Sequence, residues 1–296
     1  MAVPAEQQKL DLREPAGWRR TSNRIATALM MLAFVLVMIP LGFVIYTVIA
    51  KGASAIKWSF LTSSIPPQVA PPGQGGIGPA VVGTLEITGF AALMAVPLGV
   101  LGAVYLNEYG GKGLLARVIG FMSDVMTGVP SIVMGLFIFS IWTIHFGFSG
   151  FGGALALGCL MLPIVIRSSD EMLKLVPDPL REASYALGAT KARVTMTVVL
   201  PAAIGGIVSG ALLAIARAAG ETAPLLFTIL TVTTVNRNLF SGANTALSTQ
   251  IFANATQPFL GAQSRAWGSA LALIAIAFIL MIVARIVTAR FTRYSR

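Results

Sequence analysis

Residues 181–203 read REASYALGATKARVTMTVVLPAA. Glu182 to Leu187 favours a short helix. Gly188 stops it, because glycine readily takes the left-handed conformation in which helices commonly end. Thr190 opens a second helical run that continues through Leu200-Pro201. The stretch is charged, with Arg181, Glu182, Lys191 and Arg193, yet a long apolar run stands on either side of it. Counting those runs outward from this loop sets the fold.

A helix needs about 20 apolar residues to cross the hydrocarbon core of a membrane. Downstream, Val194 to Val235 is apolar, interrupted by Arg217 and Glu221, with Pro224 just beyond. That predicts one full span and a shorter element. Trp267 to about Val287 is the last span. Upstream, Val118 to Ile166 is too long for one crossing, and it divides at the glycine-rich turn from His145 to Gly153. Val81 to Leu106 is broken only by Glu86, and Ile25 to Ala50 carries no charge. The latter is too long, and too far from the start, to be a cleaved signal. The expectation is six transmembrane helices in an all-α membrane protein.

Composition agrees. The 296 residues are 56% hydrophobic and 11% charged, with a mean hydropathy of +0.82. Soluble domains carry about 25% charged residues, and disorder needs low hydrophobicity, so both classes are excluded. One cysteine, Cys159, and one histidine, His145, leave no disulfide framework and no thiolate or multi-histidine metal site. The net charge of +10 invites a nucleic-acid reading, but topology accounts for it. With the N-terminus inside, the inner segments hold 16 Lys and Arg and the outer segments hold 4, namely Lys51, Lys57, Arg237 and Arg265. Basic loops stay on the cytoplasmic side, so both termini are expected there. The division expected is a cytoplasmic tail 1–24, a transmembrane domain 25–290 and a tail 291–296. Its long loops are a cytoplasmic one at about 174–199 and extracytoplasmic ones at about 51–80 and 230–266.

The opening stretch also resembles the cytoplasmic EAA loop of ABC importer permeases. Glu182-Ala183-Ser184 is followed, at that family's spacing, by Gly188, Val198 and Leu200-Pro201; Ser184 departs from the usual second alanine. Further segments are similar to the A-type permease subunit of the phosphate ABC transporter. They are GIGPAVVGTLEIT from Gly76, GVLGAVYLNEY from Gly99, GVPSIVMGLF from Gly128, LMLPIVIRSSDEML from Leu160 and ARAAGETAPLLFT from Ala216. They cover about half the chain, and the first 24 residues and last span match only in character.

The resemblance implies a type I ABC importer permease fold in the bacterial cytoplasmic membrane. It implies a heterodimer with the homologous C-type permease subunit, two copies of a separate ATPase and an extracytoplasmic phosphate-binding protein. This chain would form half of the path for inorganic phosphate, surrounded by lipid. Glu182, Ala183, Gly188, Leu200 and Pro201 would couple it to the ATPase. ATP and Mg would be used by that partner, with no cofactor here. The sequence has no P-loop: Gly111-Lys112 is followed by Gly113. GQGGIG at 73–78 lies in a loop with no preceding strand, so it is not a dinucleotide site. No nucleophile–base pair is visible, and the chain is read as non-catalytic.

The intramembrane charges carry the substrate chemistry. A charge at mid-membrane costs roughly 2.5–3.5 kcal/mol on insertion scales and commonly marks function. Arg217 and Glu221 are four apart, so they share a helix face. They form either a self-neutralising structural pair or, as we read them, an anion contact held in place by a carboxylate. A guanidinium suits phosphate because its fork donates parallel hydrogen bonds as its charge offsets the anion. Arg217 stands about 24 Å from Pro201 along a helix, and Arg167 about 27 Å from Ser149. Arg167, near Asp170 and Glu171, is either an interfacial anchor or a second anion contact; the resemblance supports the latter. Ser131, Thr222, Thr127 and Thr228 offer hydroxyls to an oxyanion or to helix carbonyls. Glu86 is expected to reach water at the outer end, Asp124 to be structural, His145 to sit in an outer turn and Cys159 in the core. Pro130 and Pro163 are expected to kink their helices. Two alternatives remain: the same architecture carrying sulfate or molybdate, or an ion-coupled secondary transporter without an ATPase.

Overall fold

The computed structural model describes residues 17–111 and 113–293. Most of the expected N-terminal tail, Lys112 and the last three residues lie outside the described residues. The chain divides into two compact units, 1–47 and 48–296. The first is, in its described part, most of helix α1 (Gly17–Gly52), whose composition alone is that of a membrane span.

The second unit is helical throughout its regular elements. A short α2 (Trp58–Thr62) precedes α3 (Gly78–Val104), which runs on as a π-helical turn, Tyr105–Tyr109. Then follow α4 (Leu114–Gly128) and α5 (Ser131–Ile138), the latter extended by a π turn, Phe139–Thr143, and by α6 (Ile144–Phe146). Helix α7 (Gly150–Lys174) is unbroken through Pro163, and α8 (Asp178–Ala186) is the loop helix. Helix α9 (Lys191–Val194) continues through a π turn, Thr195–Val199, into α10 (Leu200–Ala219). The short α11 (Leu225–Thr228), α12 (Leu247–Ala255) and α13 (Leu260–Arg293) complete the chain.

Among the described residues, five helical stretches are long and apolar enough to cross a membrane, and the pair α4 and α5–α6 makes a sixth crossing if counted together. That pair is not a kinked rod: the chain bends through 110° between its halves. Proline restricts the residue before it to extended backbone, and Val129 is extended, at φ −72° and ψ 127°. Pro130 then caps α5 instead of bending it. The expected kink is therefore a full break.

Helices α3, α7 and α10 form the centre of the bundle. Ile87, Ala91 and Ala95 of α3 meet Leu157 and Met161 of α7 and Ala218 of α10 in one core. Small side chains let membrane helices approach closely, and a Cβ at Gly99 would lie 2.7 Å from Val165 Cγ1. A second core joins Ala103, Leu173, Val176, Val194, Val199 and Ala203 at the α8 end of the bundle. A third, at the α2 end, gathers Phe60, Ile65, Ile77, Leu247 and Ala272. Arg265 is buried there and donates to the carbonyls of Ala70, Pro67 and Gln68, which ties the 51–77 loop to α13.

Candidate functional site

The break at Val129-Pro130 opens a cavity of about 350 Å3 beside α7 and the last turn of α10. Its walls come from Thr127 and Val129 at the end of α4, Pro130 and Ser131 at the start of α5, Leu160 and Pro163 of α7, and Arg217 and Glu221. Pro163 lies roughly 20 Å from the Gly150 end of α7 and roughly 17 Å from its Lys174 end at helical rise. The cavity is therefore half way along the bundle.

Arg217 dominates it. The guanidinium Nε lies 3.7 Å from Glu221 Oε1, beyond hydrogen-bond distance. The Arg217 side chain is 71% exposed, against 24% for Glu221. Among the described residues it makes that ion pair and no hydrogen bond, so its five donors are available. Two features place them. Helix α10 ends at Ala219, where the partial negative charge of a helix C-terminus favours a cation. Glu221 follows in the turn, anchored by its backbone: its N–H donates to Ala218 O at 3.1 Å, and its carbonyl accepts from Ser248 Oγ at 3.0 Å.

Ser131, expected in the pathway, does line this cavity. It is the first residue of α5, and the N–H groups of a helix's first turn lack intrahelical acceptors. The same break thus turns a positive helix end toward Arg217. Thr222 is placed differently. It sits in the turn after Glu221, outside the cavity wall, where its carbonyl accepts from Leu225 and Leu226 N–H. Thr127 Oγ1 donates to Asp124 O and Thr228 Oγ1 to Pro224 O, so both hydroxyls serve helix carbonyls.

Arg167 lies one helical turn along α7 from Pro163. Its Nη1 is 3.5 Å from Asp124 Oδ1 and its Nε 3.8 Å from Glu171 Oε1. All three side chains are more than half exposed. Asp124, expected to be structural, is thus the partner of Arg167 across α4 and α7. Asp170 is buried and pairs with Lys174 instead. Glu86 differs from expectation: its Oε2 is buried and has no partner among the described residues, because α3 turns that oxygen into the bundle rather than to water. His145 lies in the α6 turn and Cys159 is half-buried in α7. No cluster of three or more metal-ligating side chains occurs among the described residues.

The charged loop 181–203 folds as its residues suggest. Helix α8 closes with Gly188 N–H donating to Tyr185 O and Ala189 N–H to Ser184 O. This is the glycine-capped ending, and Gly188 has φ +78°. Glu182, Ala183 and Leu187 are exposed, Leu187 at 90%. Leu200-Pro201 opens α10 directly after the π turn Thr195–Val199, within one continuous helical path from Lys191 to Ala219.

Sequence reasoning missed what holds α8. Arg181 donates from Nε and Nη2 to Glu108 Oε1 at 3.3 and 3.2 Å. Its Nη1 reaches Asp178 Oδ1 and Val176 O, and its Nη2 also reaches Leu173 O. Glu108 stands 73 positions away in the π turn after α3. No local pattern signals such a contact.

Comparison with known proteins places this geometry among transporters. The family described as "binding-protein-dependent transport system inner membrane component" matches residues 95–293. A phosphate transport system permease protein PstA 1 of Mycobacterium tuberculosis is 44% identical over 285 residues, covering 94% of this chain and 91% of its own. PstA of Yersinia pestis is 40% identical, with 94% of each chain covered. Among solved structures, a bacterial alginate ABC transporter chain superposes with a TM-score of 0.62 at 14% identity, covering 94% of this chain and 99% of that one. A chain of the inward-facing MetNI methionine ABC transporter gives 0.57 at 18%, covering 73% and 94%.

Proposed function

The chain belongs to the family of inner-membrane components of binding-protein-dependent transport systems, and from that premise we propose that it is the A-type permease subunit of an ATP-driven phosphate importer. It is a multi-pass protein of the cytoplasmic membrane. Both termini lie in the cytoplasm, as the distribution of Lys and Arg requires. The α8 end of the bundle then faces the cytoplasm and the α2 end faces outward. Six crossings result, with the broken α4 and α5–α6 pair as the third. A C-type permease subunit supplies the other half of the path. Two ATPase subunits bind on the cytoplasmic side, one of them against α8, and a phosphate-binding protein delivers substrate to the outer loops.

The observation that carries this reading is the guanidinium of Arg217, exposed and free of hydrogen bonds in a cavity half way through the bundle. A phosphate stripped of water loses strong hydrogen bonds, and this fork replaces two of them while offsetting charge. Glu221 and the carbonyl end of α10 temper that attraction, so the anion is held weakly enough to leave. Arg167, one turn nearer the α8 end, continues the polar row with Asp124 and Glu171. The chain performs no bond chemistry; energy enters through the ATPase, and α8 passes the motion to the spans. Tetrahedral oxyanions such as sulfate and molybdate share the chemistry Arg217 recognises, and the curated relatives favour phosphate.

Uptake of radiolabelled phosphate into vesicles holding this chain, its C-type partner and the ATPase, supplied with the phosphate-binding protein, tests the reading. ATP-dependent uptake that ignores excess sulfate is expected. Uptake driven by an ion gradient without the ATPase would overturn the class. Competition by sulfate would overturn the substrate.

A further inference from the structure

The π turn Tyr105–Tyr109 meets the α8 loop at two places. At one, the Glu108 carboxylate accepts two hydrogen bonds from Arg181 within α8, the residue before Glu182. At the other, the Lys191 ammonium stands 5.2 Å over the ring of Tyr109. Lys191 begins α9, and so begins the path into α10. Between these contacts, Ala103 of α3 packs with Leu173, Val176 and Val194. One five-residue turn therefore grips α8 itself through Arg181 and the chain after it through Lys191, and joins both grips to α3.

The grip is directional. All five N–H donors of Arg181 are engaged: two on Glu108, two on the carbonyls that close α7, and one on Asp178 of α8 itself. The side chains of Arg181 and Glu108 are only 14% and 5% exposed. Buried charge pairs of this kind do not slide, because separating them strands an unpaired charge. By contrast the opposite face of α8, with Glu182, Ala183 and Leu187, is bare. A push on that bare face reaches α3 and α7 through Arg181, while the π turn, a geometry common at functional sites, takes up the change in direction.

We propose that Glu108 is a positioning residue of the coupling machinery: through Arg181 it makes α3 and α7 follow the loop helix, so that movement of α8 becomes movement of the cavity wall. The proposal rests on the reading of α8 as the ATPase contact. It assigns a task to a carboxylate at the inner end of a span that neither the pathway nor the docking face uses.

The test is the ratio of phosphate delivered to ATP hydrolysed, in vesicles containing the full complex with Glu108→Gln. The expected result is normal co-assembly with the ATPase, retained ATP hydrolysis and a ratio reduced roughly tenfold or more, the scale of losing charged hydrogen bonds. Glu108→Asp, which keeps the charge but shortens the reach, should fall between. An unchanged ratio in Glu108→Gln would overturn the proposal. So would a parallel loss of assembly and hydrolysis, which would make the pair a staple of the fold alone. A wild-type complex that shows no ATP-dependent uptake would instead defeat the phosphate-importer reading itself.

Discussion

Two arginine–glutamate pairs in this chain are chemically identical and physically opposite. Arg181 and Glu108 are buried, bonded at 3.2 and 3.3 Å, and every Arg181 donor is used. Arg217 and Glu221 are 3.7 Å apart, and Arg217 is exposed with its donors unspent. The first pair links elements far apart in sequence, while the second joins the last turn of α10 to the turn just beyond it. The difference teaches that donor saturation, more than residue type, separates a joint from a contact surface. A saturated guanidinium transmits force, and an unsaturated one can take a ligand.

Arg181→Ala should have the largest effect. It strands Glu108 in a buried place, and breaking a buried pair costs about 3–5 kcal/mol. The expected outcome is less membrane-assembled complex in a pull-down with the ATPase, a loss of fold stability that Glu108→Gln escapes because Arg181 stays paired with Asp178. Normal assembly would mean that the joint is weaker than its geometry implies.

Glu221→Gln sharpens the contrast from the other side. Without the carboxylate, Arg217 keeps its charge and gains freedom to hold an anion. Vesicle uptake should show lower turnover together with a lower half-saturating concentration, and unchanged assembly. A rise in turnover would remove Glu221 from its role in release.

Gly188→Ala probes the loop without touching either pair. A left-handed conformation costs a residue bearing a Cβ about 1–2 kcal/mol, and no atom stands near enough to add a clash. A modest drop in thermal stability and weaker co-purification of the ATPase are expected. An unshifted melting curve would show that α8 ends otherwise.

Arg167→Ala is expected to change stability least, since exposed ion pairs are worth about 0–1 kcal/mol. Its melting temperature should stay close to wild type, while phosphate uptake declines. A large thermal shift would reassign Arg167 to the structural class of Arg181.

Much of this was legible in the sequence because it is local. Apolar run lengths marked the five long helices, and Gly188 stopped α8 where a left-handed residue was needed. Arg217 and Glu221 do pair, but not on a shared helix face as their spacing suggested: α10 ends at Ala219 and Glu221 stands in the turn after it. What escaped is set by packing. Pro130 announced a disturbance, but the 110° break also needs α5 to lie against α11, so closely that a Cβ on Gly135 would be 2.6 Å from Pro224 Cα. The partners Glu108 and Arg181, or Asp124 and Arg167, lie on helices far apart in the chain. Only tertiary contact brings them together. Glu86 was read by its depth along α3, whereas the burial of its Oε2 depends on which way the helix is turned.

Arg217→Ala in the reconstituted complex tests the central claim most directly, with phosphate uptake measured per assembled complex beside ATP hydrolysis. The account predicts normal assembly, retained hydrolysis and uptake reduced about ten- to a hundredfold, the free-energy scale of charged hydrogen bonds. Wild-type uptake in that variant would contradict it, leaving Arg217 and Glu221 as a self-neutralising pair and the cavity without a substrate.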